Sequence, residues 1–202
     1  MSGAMAVIAP MAKGSTVRST CTFLSSRLSP DALTDALDSL PSETRESLRT
    51  VGPTEEVPYA QLVALWTAAD AALSTSEPTW ADASGAFSID SLGVQLYGGI
   101  LRKPTPREFL TQSISLFRLY YHPGDMEVVE DVAGRAVLRL VGFDPMTRLF
   151  CQRQTGGLRR AVELAGGDAV RVRHVRCCIE GDAFCEWELH WQTDTGKGSA
   201  GV

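Results

Sequence analysis

The sequence predicts an α+β fold in which N-terminal helices pack on a four-stranded antiparallel sheet. Up to about residue 121, apolar residues recur at helical spacing. From residue 126 the period changes to short β-branched runs interrupted by one more helical stretch, giving a β-β-α-β-β order. Along the last run, Cys185, Trp187, Leu189 and Trp191 share one parity while Glu186, Glu188 and His190 share the other. That alternation suits a strand with one face in a core and one in water.

The elements follow in order. Residues 1–28 carry a short apolar run broken by Pro10, with no basic residue before it. They predict a disordered tail rather than a signal peptide. Ser29-Pro30-Asp31 reads as an N-cap, a proline at the first helical position and an early acid, and Leu33, Ala36, Leu37 and Leu40 follow at helical spacing. A second short helix runs from Pro41 through Leu48. A third starts near Pro58, with Leu62, Val63, Leu65, Trp66 and Ala69 on its apolar side. After a polar break at 74–78, the stretch 79–101 is helical in pattern yet holds Gly85, Gly93, Gly98 and Gly99, which predicts close helix packing or breaks. Residues 104–121 predict one amphipathic helix with Phe109, Leu110, Ile114, Phe117, Tyr120 and Tyr121 inward. Strands at 126–132 and 135–141 flank a turn ending in Gly134. A helix opens at Asp144-Pro145, carries Leu149, Phe150, Leu158, Val162 and Leu164, and stops at Gly166-Gly167. The final hairpin turns at Gly181-Asp182, and 193–202 form a tail. Residues 29–192 are thus expected to make a single domain.

Composition narrows the function classes. The chain has 202 residues, 44% of them hydrophobic, and a net charge of -5, which suits one domain with a sizeable core. The acidic balance argues against nucleic acid, whose phosphates need clustered Lys and Arg. No segment reaches the apolar length of a membrane span. Five cysteines, an odd number, do not form a secreted disulfide framework, so a cytoplasmic location is expected.

The chemistry gathers near the C-terminus. Cys151 on the last helix, with His174, Cys177 and Cys185 on the final hairpin, is a thiolate and imidazole set suited to tetrahedral zinc. His174 and Cys177 have opposite strand parity, so the backbone must bend near Cys177, and Cys178 could replace Cys177 if the bend falls differently. A buried Cys needs no metal, so ordinary core positions remain the alternative. His122 before Pro123 and His190 beside Glu188 fit a helix end and a solvated strand face. No Ser-His-Asp arrangement, paired carboxylates or phosphate loop stands out.

With Cys151, Cys177 and the CCIEGDAFC loop ending in Cys185, the region 126–191 resembles the 4-vinyl-reductase-type domain. That family is known from phenol-sensing transcriptional activators and a bacteriochlorophyll-pathway protein. Its superfamily includes Golgi transport-protein-particle subunits and haem nitric-oxide sensors. The layout is also similar to a myxobacterial paralogous family of unassigned role. The resemblance implies zinc on Cys151, Cys177 and Cys185, with His174 where the family has an acidic ligand. It also implies a buried pocket for a small hydrophobic molecule, between helices and sheet, for which Phe117 and Tyr121 are the chosen lining. Kinship with the haem sensors makes His122 a candidate haem ligand, but their Tyr-x-Ser-x-Arg motif is absent, which favours the helix-end reading.

The resulting expectation is a non-enzymatic, zinc-containing sensor or regulatory domain that signals through an unidentified protein partner or a change of oligomeric state. A homodimer is expected through residues 93–99 and the helix 104–121. The alternatives are a ligand-free interaction scaffold of the Golgi-transport-subunit type and an enzyme of tetrapyrrole metabolism. Four protein ligands would close a catalytic zinc, which counts against the enzyme.

Overall fold

The computed structural model describes residues 9–192, and of 113–115 the backbone only. Strand β1 (Met11–Lys13) runs into helix α1 (Gly14–Arg27), followed by α2 (Pro30–Asp38), α3 (Ser42–Thr50), β2 (Glu56–Pro58) and α4 (Tyr59–Leu73). Then come α5 (Trp80–Ser88), a π turn (Ile89–Gly93), α6 (Val94–Leu101), α7 (Pro106–Leu110), α8 (Ser113–Arg118) and β3 (Tyr121–His122). The C-terminal part is β4 (Asp125–Val132), β5 (Arg135–Val141), α9 (Arg148–Leu164), β6 (Asp168–Arg176) and β7 (Glu186–Gln192). The predicted α+β class and β-β-α-β-β order are present, with a four-stranded antiparallel sheet ordered β4-β5-β7-β6. Among the described residues no helix is long and apolar enough to cross a membrane.

Two expectations are corrected. The expected tail 1–28 instead contains β1 and α1 within its described residues. β1 is the middle strand of a second sheet, β2-β1-β3, and α1 buries Ser15, Thr16, Val17, Ser19, Thr20, Phe23 and Leu24. Hydroxyls make this Ser/Thr-rich helix a core element. Thr20 Oγ1 donates to the Thr16 carbonyl at 2.8 Å and accepts from Trp66 Nε1 at 3.3 Å. A hydroxyl bonded back to its own helix can be buried at little cost. We expect Thr20→Val to orphan the Trp66 indole N–H and lower stability by about 1–3 kcal/mol, read by chemical denaturation.

The expected single helix at 104–121 is two short helices and a strand, because Thr105 caps α7 only as far as Leu110 before a turn intervenes. Phe109, Leu110 and Phe117 are buried, so the apolar side of this segment belongs to the core. The stretch 79–101 breaks at the π turn, where Ser91 leaves helical geometry. Its Gly85 packs directly on α9, as close helix packing requires. The tails 1–8 and 193–202 lie outside the described residues.

The core is continuous from α1 and α4 through α9 to the sheet. Tyr59 sits at its centre, ringed by Trp66, Tyr121, Phe143 and Phe150, with its Oη donating to the Pro145 carbonyl at 2.8 Å.

Candidate functional site

Helix α9 positions both candidate sites. Thr147 caps it by accepting from the Leu149 N–H at 3.3 Å, which orients the first turn so that Cys151 faces the β6–β7 hairpin. Two residues on, Arg153 points into the helical layer and lines a cavity there. One helix therefore touches two chemically different places.

At the hairpin the chain does bend beside Cys177. The β6–β7 register shifts between His174 and Arg176, β6 ends, and a 3-10 turn (Cys178–Glu180) begins. Asp182 closes this knuckle, its Oδ2 accepting from the Cys177 N–H at 2.7 Å. Gly181 takes the left-handed conformation the turn needs, with φ at 100°. The result brings ligand atoms of Cys151, His174, Cys177 and Cys185 within 4.8 Å of one another. Cys151, Cys177 and Cys185 are buried, and the His174 ring stacks on Trp187 with centroids 4.6 Å apart. His174 Nε2 is buried with no hydrogen-bond partner. The residue as a whole is half-buried, and its side chain also hydrogen-bonds Cys185.

Within the cluster the Cys185 thiol is the one held low. Hydrogen bonding from Cys151, at 3.7 Å between sulfurs, outweighs burial, and His174 and Cys178 add to it, so its thiol titrates far below the usual range. Cys151 is displaced upward by the same contact and by burial. Cys178 is half-buried, with its sulfur 3.4 Å from that of Cys185, so it stands beside the cluster rather than apart from it. Burial pushes its thiol up to about 12.

The cavity lies between the helical layer and α9, at the edge of the large sheet. It encloses about 70 Å³ and is partly open on one side. Phe109, Phe117, Tyr120, Tyr121, Met126 and Leu158 supply apolar wall, so both residues chosen from the sequence, Phe117 and Tyr121, line it. The sequence reading missed Arg153, which lines the same cavity at 5% exposure. A charged residue amid the apolar face of α9 was the available signal. None of the three histidines lines the cavity. His122 sits on β3 within 3.7 Å of Glu56, and His190 lies on the solvated face beside Glu188.

No protein-family model matches the chain, and no curated protein sequence does either. Solved structures do share its fold. An H-NOX protein from S. oneidensis in the Fe(II) ligation state is 16% identical with a TM-score of 0.70, over 91% of this chain and 98% of that one. The Fe(II) unliganded H-NOX protein from K. algicida is 11% identical with a TM-score of 0.69, again over 91% and 98%. A further structure, which probes heme distortion in the H-NOX family, is 11% identical with a TM-score of 0.66, over 90% of this chain and 95% of that one. The chain thus has the fold of H-NOX domains along nearly its whole length. Zinc as the expected cofactor is corrected by this finding, since the solved proteins with this fold are iron and heme proteins. Neither the 4-vinyl-reductase-type resemblance nor the Golgi-subunit resemblance is matched by these structures.

Proposed function

We infer that this chain is a sensor domain, without catalytic activity of its own, that binds a small molecule in the cavity between its helices and α9. The observation that carries this is the cavity itself: an apolar, aromatic-walled space that this fold leaves open in a core otherwise packed tight around Tyr59. The H-NOX proteins with the same fold lend support, as they are described by their iron ligation states.

Haem itself does not fit these residues. The cavity offers no imidazole or thiolate to an iron, and burial holds the phenols of Tyr120 and Tyr121 above their usual range, which disfavours a tyrosinate ligand. Its volume of about 70 Å³ is also well below the ~300–1,000 Å³ of pockets that enclose large ligands. The ligand of this chain is therefore a smaller molecule. Titration calorimetry with a panel of small hydrophobic compounds should give saturable 1:1 binding, weakened about tenfold by Phe117→Ala, roughly the loss of one aromatic contact. No saturable binding by any compound, with a protein partner captured instead, would favour the ligand-free scaffold.

The four gathered side chains suit a structural role. Cys151, His174, Cys177 and Cys185 hold a thiophilic transition-metal ion that fastens the final hairpin to α9, supported by ligand atoms that all lie within 4.8 Å of one another and by the unpartnered His174 Nε2. Ligands gathered only in the folded state couple metal binding to folding. Elemental analysis should find near-stoichiometric metal, lost together with thermal stability in Cys185→Ser and retained in Cys21→Ser. Less than about a tenth of an equivalent in the wild-type protein would make the four ordinary core positions.

Output passes to a second copy or another protein. The surface for it is α6, where a side chain added at Gly98 or Gly99 would meet nothing within 4 Å and Leu96 is exposed.

A further inference from the structure

Arg153 is the anomaly of the cavity. Its guanidinium is held by Ser84 Oγ and by Ser88 Oγ at 3.0 Å, and it lies 4.8 Å over the Trp66 ring, yet its Nε is buried with no partner. Among the described residues it meets no carboxylate within 4 Å. The neighbouring α9 arginines differ, with Arg159 paired to Asp82 and Arg160 to Asp90 and Glu163. Two hydroxyls and an indole face meet part of the guanidinium, but they leave a full positive charge without a carboxylate partner. Buried charges are ordinarily paired, because an uncompensated one costs several kcal/mol. Burial, only partly offset by Tyr121 and Tyr59, pulls this guanidinium down to about 10.

A second unmet group belongs to a residue of the same wall. Tyr120 Oη is buried without a partner, and its ring lines the cavity with Arg153. A free N–H of a cation and a free phenol O–H are both donors, and a carboxylate accepts from both. The remaining wall is apolar: Ile89, Phe109, Leu116, Phe117, Met126 and Leu158. The enclosed volume of about 70 Å³ is roughly half of a cavity that takes benzene. It admits a carboxylate with a short hydrocarbon tail.

We propose that the molecule bound in this cavity is a short-chain monocarboxylic acid, its carboxylate seated between Arg153 and Tyr120 and its tail against the apolar wall. This rests on the ligand-binding role proposed above and names the ligand's chemical class.

Calorimetry and thermal shift on the full chain, with acetate and propionate against acetamide and propionamide, test it. The acids should bind at least about tenfold more tightly than the amides, as expected for hydrogen bonds to a charged partner. Arg153→Met should erase that preference while keeping the buried stem, and Tyr120→Phe should weaken the acids about tenfold or less. Acids and amides binding alike to the wild-type protein would overturn the carboxylate while leaving the cavity's ligand-binding role intact. Binding of neither would overturn both. An Arg153→Met protein that still prefers acids would show that another cation reads the charge. Should that variant fail to fold, the comparison on the wild-type protein decides by itself.

Discussion

Trp187→Ala is expected to lower stability by about 3–5 kcal/mol, with a drop in melting temperature on the order of 10 °C for a chain of this size. Trp187 is fully buried on β7 and stands in register with Leu138 of β5 and His174 of β6. Its Nε1 donates to Thr155 Oγ1 of α9 at 3.0 Å, and its ring is the platform under the His174 imidazole. Truncation thus opens a cavity where sheet and helix meet and removes the support that aims His174 at the three sulfurs. Trp187→Phe should recover most of the packing, since Thr155 Oγ1 keeps its bond to the Cys151 carbonyl at 2.9 Å. Thermal denaturation of both variants reads this directly. A loss below about 1 kcal/mol for the alanine variant would mean that the β6–β7 hairpin does not depend on its contact with α9.

The hairpin chemistry was legible in the sequence because strand parity is a strict rule. The alternation from Cys185 to Trp191 names the buried face, and opposite parity at His174 and Cys177 requires the bend that the register shift supplies. Two features were hidden for a common reason. Helix α1 is buried in part through Ser19 and Thr20, whose hydroxyls bond back to the Thr16 carbonyl and across to Ser88 and Trp66, so hydropathy gives no sign that it is core. Arg153 is a charged residue whose partners, Ser84 and Ser88, come from α5, far away in the chain. Burial of polar groups is decided by tertiary partners, and those a single sequence does not announce. The break between α7 and α8 escaped notice because the apolar spacing of Phe109, Leu110 and Phe117 is kept across it. Periodicity reports which side chains face inward, not whether the backbone between them is continuous.

The glycines of the α5–α9 contact should divide sharply by position. A Cβ on Gly85 would lie 1.9 Å from the Arg153 carbonyl oxygen, and one on Gly156 would lie 1.9 Å from that of Asp82. Each glycine faces backbone of the opposite helix, so no side chain can swing aside and the helices themselves must part. The ion pair of Arg159 with Asp82 straddles this contact and resists that movement. Gly85→Ala and Gly156→Ala should therefore each cost about 3 kcal/mol or more, at or beyond the upper end for overpacking, although alanine is the better helix former by about 1 kcal/mol. Gly157 is the internal comparison. Its Cβ would meet its nearest neighbour at 3.7 Å, an ordinary contact, and it lines the cavity. Gly157→Ala should thus gain up to about 1 kcal/mol of stability while narrowing the cavity and weakening whatever binds there. Denaturation midpoints for the three variants, with calorimetry on Gly157→Ala, separate backbone contact from cavity wall. A Gly156→Ala protein as stable as wild type would show that α5 and α9 can separate cheaply, and that the cavity between them is not held at a fixed width.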